Sequence, residues 1–355
     1  MNIAIAGAGI AGGYLAKVLE QKGISPDIYD GMKHETRCGC RSCGWGVPRD
    51  IKRYLLDVGL DFDSYLLEPM SSMNFNGLAA KTPLCTVNKP RLIKDLTKGA
   101  RLKRENLRIE EADNYDLIVD ATGITRAFLP TCRSDLVMPT QQQRVMVKSN
   151  GNENLKAGVY GNKIPGLGYL WIFPLGKNQY HIGIGGVGSI RLDRLLDRFF
   201  KTSSERFSFT TLCSCSGAVR VASPYYSTPF YVTKSRKDGN PQVIVGVGES
   251  IGTVAPFTGE GIIHSLECVR IFANTFPDYK RYTNTVLKQF GWMRKERETL
   301  DYFLSQEGKN GPRLQDRWRL FRNARRSGIG LPMIEAFKHL GDLLQWVETP
   351  DQGQV

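Results

Sequence analysis

The chain has 355 residues, 41% hydrophobic and 23% charged, a composition that argues against long disorder and a length that holds about two domains. Forty-eight Lys and Arg against 35 Asp and Glu leave a net charge of +13, which favours anionic partners but says nothing of fold. Eight cysteines at this length exclude a disulfide scaffold and point to an intracellular chain, and no apolar run reaches the ~18 residues of a membrane span. Met1 to Leu19 is apolar, but no basic residue precedes the stretch and its glycines recur regularly, so it is not read as a signal peptide.

Asn2–Ala6 reads as a buried strand, 11–22 as a helix and Pro26–Asp30 as a second strand ending in an acid, the opening of a doubly wound nucleotide-binding sheet. A helix is predicted from Asp50 to Gly59. Met70–Phe75 and Thr82–Val87 read as strands joined around Asn76-Gly77, followed by a short helix over Arg91–Lys98. Leu107–Glu111 and Tyr115–Asp120 read as strands. Beyond Pro139 the strands Val145–Lys148, Ala157–Tyr160, Gly168–Phe173 and Tyr180–Gly185 alternate with glycine-rich turns, with Leu175–Gln179 as a hairpin loop, and predict an antiparallel sheet. Val243–Val247 is a buried strand, Gly259–Ala273 a helix, and 279–347 helical.

The expected architecture is α/β (α+β overall). A Rossmann-like dinucleotide-binding domain over 1–66, 88–130 and 240–280 is interrupted by an antiparallel-sheet substrate domain over 67–87 and 131–239. A helical C-terminal region over 281–355 follows. No internal repeat is present.

Gly7-Ala-Gly9-Ile-Ala11-Gly12 fits G-x-G-x-x-G. Gly7 serves the tight turn, Gly9 lets the backbone approach a pyrophosphate, and Gly12 lets helix pack on strand. The helix start favours phosphate, and Asp30 is placed to accept the ribose hydroxyls of an adenosine. This fingerprint alone serves NAD or FAD. The segment Asp116–Gly123, a strand running into Ala121-Thr-Gly123, is expected to pass over the cofactor. Gly248-Glu249-Ser-Ile-Gly252, then Pro256-Phe-Thr-Gly259-Glu-Gly261-Ile262 opening a helix, suits an extended FAD. Glu249 is expected at a ribityl hydroxyl, and the helix start near Gly261 at the flavin pyrimidine edge.

Together these three segments resemble FAD enzymes of the p-hydroxybenzoate hydroxylase fold. Cys43-Gly44-Trp45-Gly46 and Tyr169-Leu-Trp171-Ile-Phe173-Pro174 are similar to the Cys-Gly-x-Gly and Y-x-W-x-F-P segments of the geranylgeranyl reductase branch. The resemblance spans about residues 1–275. It implies an FAD-dependent reductase that saturates C=C bonds of prenyl chains, with archaeal-type members acting on digeranylgeranylglyceryl phospholipids. It places Cys43, Gly44 and Gly46 beside the flavin, with Cys43 as the candidate catalytic residue, and expects a basic residue, here Lys89 or Arg91, before the short helix. Gly248-Glu249 stands where the family usually has Gly-Asp. Ala121-Thr-Gly123 stands where the hydroxylases carry Asp-Gly, which weighs against a monooxygenase and against direct NADPH binding.

Tyr169, Trp171 and Phe173 alternate and so share one face; under the family match they are read as the lining of a prenyl tunnel, where an arbitrary strand would make them sheet core. The four histidines, His34, His181, His264 and His339, fall in no acid–base pattern, and no proton donor is assigned. A helix start at Pro48 is expected to act on the Cys43 thiol. Cys38, Cys40 and Cys43 with Cys213 and Cys215 invite a metal reading, but C-x-C suits zinc and iron–sulfur poorly. No metal is expected, and a disulfide between the clusters is a comparable alternative.

Residues 313–326 hold six Arg and one Asp, with Leu314, Trp318 and Phe321 forming an apolar stripe. A second amphipathic helix is expected through Ile334, Phe337, Leu340, Leu344 and Val347. Such helices pack on a core or lie on an anionic bilayer. The expected partners are therefore a prenyl lipid, an anionic membrane surface contacted from the cytoplasmic side, and an electron donor that is NADPH, a deazaflavin or a ferredoxin. No nucleic-acid module is present. The alternatives are a monooxygenase of the same fold and a non-enzymatic FAD-binding nucleic-acid or scaffold protein.

Overall fold

The computed structural model describes residues 1–31, 43–132, 134–151, 154–161, 167–188, 191–305, 313–326 and 328–330. Strand β1 (Ile3–Ala6) is buried at every position, helix α1 (Ile10–Gln21) follows, and β2 (Asp27–Tyr29) returns parallel to β1. After β3 (Gly46–Pro48) and α2 (Ile51–Asp57), the hairpin β4 (Leu66–Phe75) and β5 (Leu78–Val87) turns at Asn76-Gly77, both at positive φ. Such a two-residue turn matches the twist of its strands.

Helix α3 (Lys89–Leu96) starts at Asn88, whose side chain accepts from the Arg91 N–H. Next come β6 (Arg101–Lys103), the single-turn α4 (Ile109–Ala112) and β7 (Leu117–Asp120). The expected strand over Leu107–Glu111 is a correction: the Arg108 N–H donates to the Glu111 carboxylate at 3.3 Å, closing a helical turn. The parallel neighbour of β2 is β6 instead.

The middle of the chain supplies β8 (Val137–Ser149), β9 (Gly158–Tyr160), β10 (Leu167–Gly176), β11 (Gln179–Val187), α5 (Leu192–Ser203) and β12 (Phe207–Arg220). Then β13 (Tyr231–Ser235) and β14 (Pro241–Gly246) form a hairpin, and α6 (Ile262–Thr275), α7 (Tyr279–Gln289), α8 (Gly291–Ser305) and α9 (Leu314–Arg326) complete the described elements.

Two sheets result. The first has order β13-β14-β7-β1-β2-β6 and is parallel except for β13; the second has order β12-β8-β11-β10-β9-β4-β5-β3. The division expected from sequence shifts at two places. β13 joins the nucleotide sheet although it falls in 131–239, and β3 joins the large sheet although it falls in 1–66. Chain order reverses at β1, with β2 on one side and β7 on the other. That is the switch point where ligands bind beyond the strand ends.

The second sheet has two different faces, set by the period of two along each strand. Val145, Val147, Leu170, Ile172, Ile182 and Ile184 pack beneath α5 through Leu196. The opposite face carries Tyr169, Trp171 and Phe173, which lie across from Gly185, Gly183 and His181. Glycine at 183 is required there, since a Cβ would overlap the Trp171 indole. No described helix is long and apolar enough to cross a membrane.

Candidate active site

The dinucleotide cradle is built from backbone. Gly7 has φ +102°, and a Cβ there would overlap the carbonyl oxygen of Ala121, the residue after β7; a Cβ at Gly12 would overlap the Gly7 carbonyl oxygen. Gly9 differs: nothing stands within 4 Å of the Cβ it lacks. Its place is the N-cap of α1, where no side chain caps the amides and no acid occupies the first turn. An open volume over uncapped amides is what an anionic pyrophosphate needs. Asp30 follows β2 with 8% exposure, its N–H bonded to the Lys103 carbonyl at 3.0 Å.

The later segments converge on this cradle. A Cβ on Gly248 would stand 2.9 Å from Ala11 Cβ, so this glycine lets Gly248–Ile251 reach α1. A Cβ on Gly123 would stand 3.2 Å from Glu249 Oε2, while Glu249 Oε1 accepts the Arg220 N–H at 2.9 Å. Two buried arginines hold these loops. Arg126 donates to the carbonyls of Pro130, Ser250 and Pro229. Arg220 pairs with Asp135 at 3.1 Å and donates to the Ile124 carbonyl. Asp120, fully buried, accepts from the Thr122, Phe128 and Leu129 N–H groups. These contacts make the loops beyond β7 and β14 one rigid block.

Lys89 and Arg91 occupy different surroundings. Arg91 turns outward, 58% exposed and 4.0 Å from Asp95, with its guanidinium over Tyr65. The charge of Lys89, after burial and Arg144, adds to the depression of His181.

The Cys43–Gly46 segment crosses the aromatic face of the second sheet. A Cβ on Gly44 would stand 2.5 Å from Phe173 and 3.3 Å from Trp171, and one on Gly46 would stand 2.7 Å from Phe173. Between them Trp45 has φ +62°, a left-handed conformation that costs about 1–3 kcal/mol for such a residue. Its ring sits edge-to-face on His181 at 4.4 Å. Trp171 donates its Nε1–H to Gln142 Oε1 at 3.0 Å. Tyr169 donates its hydroxyl to the Thr258 carbonyl, and a Cβ on Gly259 would stand 2.9 Å from the Tyr169 oxygen. Three aromatics thus run from the Cys43–Gly46 segment to the Pro256–Ile262 loop.

Cys43 is a free, half-buried thiol in contact with the Trp45 and Leu175 cluster, which also includes Cys213 and Cys215. Strand β3 contains Pro48, and α2 begins only at Ile51, so the helix start expected at Pro48 lies elsewhere. Cys213 is disulfide-bonded, while Cys215 keeps its thiol, with Gln142 Nε2 4.0 Å from its sulfur. Cys38, Cys40 and His34 lie outside the described residues. Among the described residues no group of three or more metal-type side chains comes together.

Sequence reasoning missed an acid–base group. Glu260, beside Gly259, lies 3.8 Å from His264 Nε2. Glu296 on α8 is 2% exposed. It accepts from Asn323 Nδ2 at 2.6 Å and from the Phe257 N–H at 3.5 Å. Burial pushes the Glu260 carboxyl up to about 7 and that of Glu296, with the help of Glu260's charge, up to about 8. Burial and Arg326 push His264 down to about 4. The Glu260–His264 contact at neutral pH therefore involves an uncharged imidazole and is no ion pair. His181 is likewise depressed to about 3 by burial. Only the Glu260–His264 spacing of four on one helix start was visible as a signal.

The basic helix also resolves. Phe321 of α9 is buried with Ala80 of the β4–β5 hairpin, while Leu314 is 74% and Trp318 45% exposed. Asp316, fully buried, holds the helix by accepting from Thr299 at 3.2 Å and Arg313 at 2.7 Å. The expected stripe is thus divided between core and surface. The helix expected through Ile334 and Val347 lies outside the described residues.

Residues 138–219, from β8 through β12, match the family model of the geranylgeranyl reductase catalytic domain. An uncharacterized protein of Methanocaldococcus jannaschii is 22% identical, covering 85% of this chain and 92% of its own. A digeranylgeranylglycerophospholipid reductase of Methanopyrus kandleri is 27% identical over 74% of this chain and 68% of its own. The crystal structure of a geranylgeranyl bacteriochlorophyll reductase-like protein from Thermoplasma acidophilum superposes with a TM-score of 0.64 at 17% identity, over 96% of this chain and 98% of that one. The fold, the dinucleotide cradle and the family match agree on FAD as the cofactor.

Proposed function

We propose that this FAD-dependent oxidoreductase, whose residues 138–219 match a geranylgeranyl reductase catalytic domain, saturates C=C bonds in the geranylgeranyl chains of an anionic glycerolipid. The observation that carries the reading is the aromatic wall of Tyr169, Trp171 and Phe173, which spans from the Cys43–Gly46 segment to the Pro256–Ile262 loop. That the relatives include digeranylgeranylglycerophospholipid reductases supports the lipid class.

Asp30, Gly9 and the α1 amides would hold the adenosine and pyrophosphate, and Glu249, Gly123 and the loop at Gly259–Ile262 the flavin end. When bound and reduced, FAD supplies a hydride equivalent. An isolated alkene carries no activating carbonyl, so the protein's contribution is orientation and exclusion of water, effects that reach several kcal/mol when the geometry is held. Trp171, fixed by Gln142, and Phe173, fixed by Gly44 and Gly46, are suited to hold a flat alkene. The closely packed face has few rotameric alternatives to lose on binding.

The basic, partly exposed helix α9 supports a headgroup or bilayer on the same side as the β4–β5 hairpin, because Leu314 and Trp318 lie among its arginines. The reading is tested by reducing the flavoprotein anaerobically and adding a digeranylgeranylglyceryl phospholipid. Return of the oxidised flavin spectrum supports it; a spectrum that returns only with oxygen favours a monooxygenase instead.

A further inference from the structure

We propose that Glu260 is the proton donor of the alkene reduction and that Glu296 holds the proton that recharges it. The inference rests on the prenyl-reductase reading and supplies what that chemistry leaves open, the source of the proton.

Glu260 sits at the end of the aromatic wall. The preceding residue, Gly259, has no room for a Cβ because Tyr169 reaches the loop there, and the Tyr169 hydroxyl donates to Thr258, one residue further back. Burial, with Cys43 and Glu260 nearby, raises the phenol's pKa above its ordinary value. The acid therefore shares its surroundings with the two segments between which the alkene is proposed to lie.

The Glu260 side chain is 16% exposed, yet its Oε1 is inaccessible to water and has no hydrogen-bond partner among the described residues. An ionised oxygen in that position costs several kcal/mol, so the site favours the protonated acid. His264 Nε2 is equally unpartnered, and its ring is enclosed by Phe290 at 5.9 Å and Trp292 at 5.5 Å. Tyr169 from β10, His264 from α6 and Glu296 from α8 interact with the acid; Asn323 and Arg326 from α9 act on Glu296, Arg326 acts also on His264, and Cys43 acts on Tyr169. Arg326 lies over the Trp292 ring at 5.1 Å. It is a positive charge at the rear of the cluster that eases transient ionisation there.

With Glu260 titrating near 7 and Glu296 near 8, one proton is available at neutral pH with another behind it, the match to working pH that a general acid needs. In the step, the alkene π pair takes the proton of the Glu260 O–H, whose bonding pair stays on the carboxylate. The adjacent carbon would receive the hydride equivalent that FAD supplies when bound and reduced, so that the two electrons the alkene gains come with that hydride, and the Glu260 carboxylate regains a proton from Glu296.

The test compares wild type, Glu260→Gln and Glu296→Gln. Flavin absorbance and bleaching by dithionite establish that each variant folds and loads. Infrared pH titration reads the carboxylic acids directly: a protonated-acid band titrating near 7 in wild type and missing in Glu260→Gln is expected, beside a second near 8 that is missing in Glu296→Gln. Anaerobic reoxidation by geranylgeranyl phospholipid is expected to slow about 10²- to 10⁴-fold in Glu260→Gln. In Glu296→Gln its pH profile is expected to shift. A Glu260→Gln variant as fast as wild type, or a wild type with no such band, overturns the proposal while leaving the reductase reading intact. A wild type that saturates no lipid overturns both.

Discussion

Gly44 presses on the ring of Phe173 so closely that a Cβ at position 44 would stand 2.5 Å from its Cδ2 and 3.3 Å from Trp171 Cδ1. The Cys43–Gly46 segment and the aromatic strand are therefore one unit, and moving either displaces the other. Gly44→Ala is expected to cost about 1–3 kcal/mol as an overpacking change and to slow lipid-dependent flavin reoxidation while flavin content holds. Truncating the ring removes the clash, so Gly44→Ala with Phe173→Ala should show a coupling of about 0.5–3 kcal/mol in a double-mutant cycle read by thermal unfolding. Simple additivity would mean that the two segments are independent.

The two glycines of the fingerprint predict opposite failures. Gly9→Ala adds a methyl to open volume, so the protein should unfold at nearly the wild-type temperature but purify with little FAD. Gly12→Ala drives a Cβ into the Gly7 carbonyl, so unfolding temperature itself should fall. Flavin absorbance per protein and a calorimetric scan separate the two. A Gly9→Ala protein with full flavin would place the pyrophosphate elsewhere.

Stability should fall as pH rises above about 6.5. The folded state holds Glu260 near 7 and Glu296 near 8, both above their ordinary 4.5. Their contribution is present below the unfolded value and lost as pH climbs through 7 and 8. His264 near 4 and His181 near 3 act the other way, since stability from their neutral forms is lost as pH drops below 6.5. Denaturant titrations from pH 6.5 to 9 should therefore show decreasing stability in wild type and a flatter curve in Glu296→Gln. An unchanged slope would mean that Glu296 ionises freely.

Helix α9 is expected to bind anionic vesicles. Trp318 is 45% exposed and Arg322 is also exposed. Cosedimentation with phosphatidylserine-rich vesicles should exceed that with neutral ones and weaken with salt. The double change Trp318→Ala with Arg322→Glu should reduce it. Equal binding to neutral vesicles would remove charge from the account.

The parts of the site that are local in sequence were legible. The strand–glycine–helix run with Asp30, and the alternation at Tyr169, Trp171 and Phe173, each declare a geometry through spacing alone. What was not legible is made by distant chain segments. Glu260 and His264 lie one helical turn apart, but Glu296 comes from an ordinary-looking helix, and only packing turns it toward them. Glu249 meets the backbone N–H of Arg220, a donor that carries no side-chain signature. Leu107–Glu111 looked like a strand because its apolar residues alternate, but the Glu111 carboxylate on the Arg108 N–H and the Ala112 N–H on the Arg108 carbonyl close a helical turn there.

The most direct measurement of the central claim is lipid mass spectrometry after anaerobic incubation of the dithionite-reduced protein with a digeranylgeranylglyceryl phospholipid. The account predicts lipid heavier by one pair of hydrogens for each C=C bond saturated, in proportion to the flavin reoxidised. Lipid of unchanged mass, beside flavin that reoxidises only when oxygen is admitted, would contradict it.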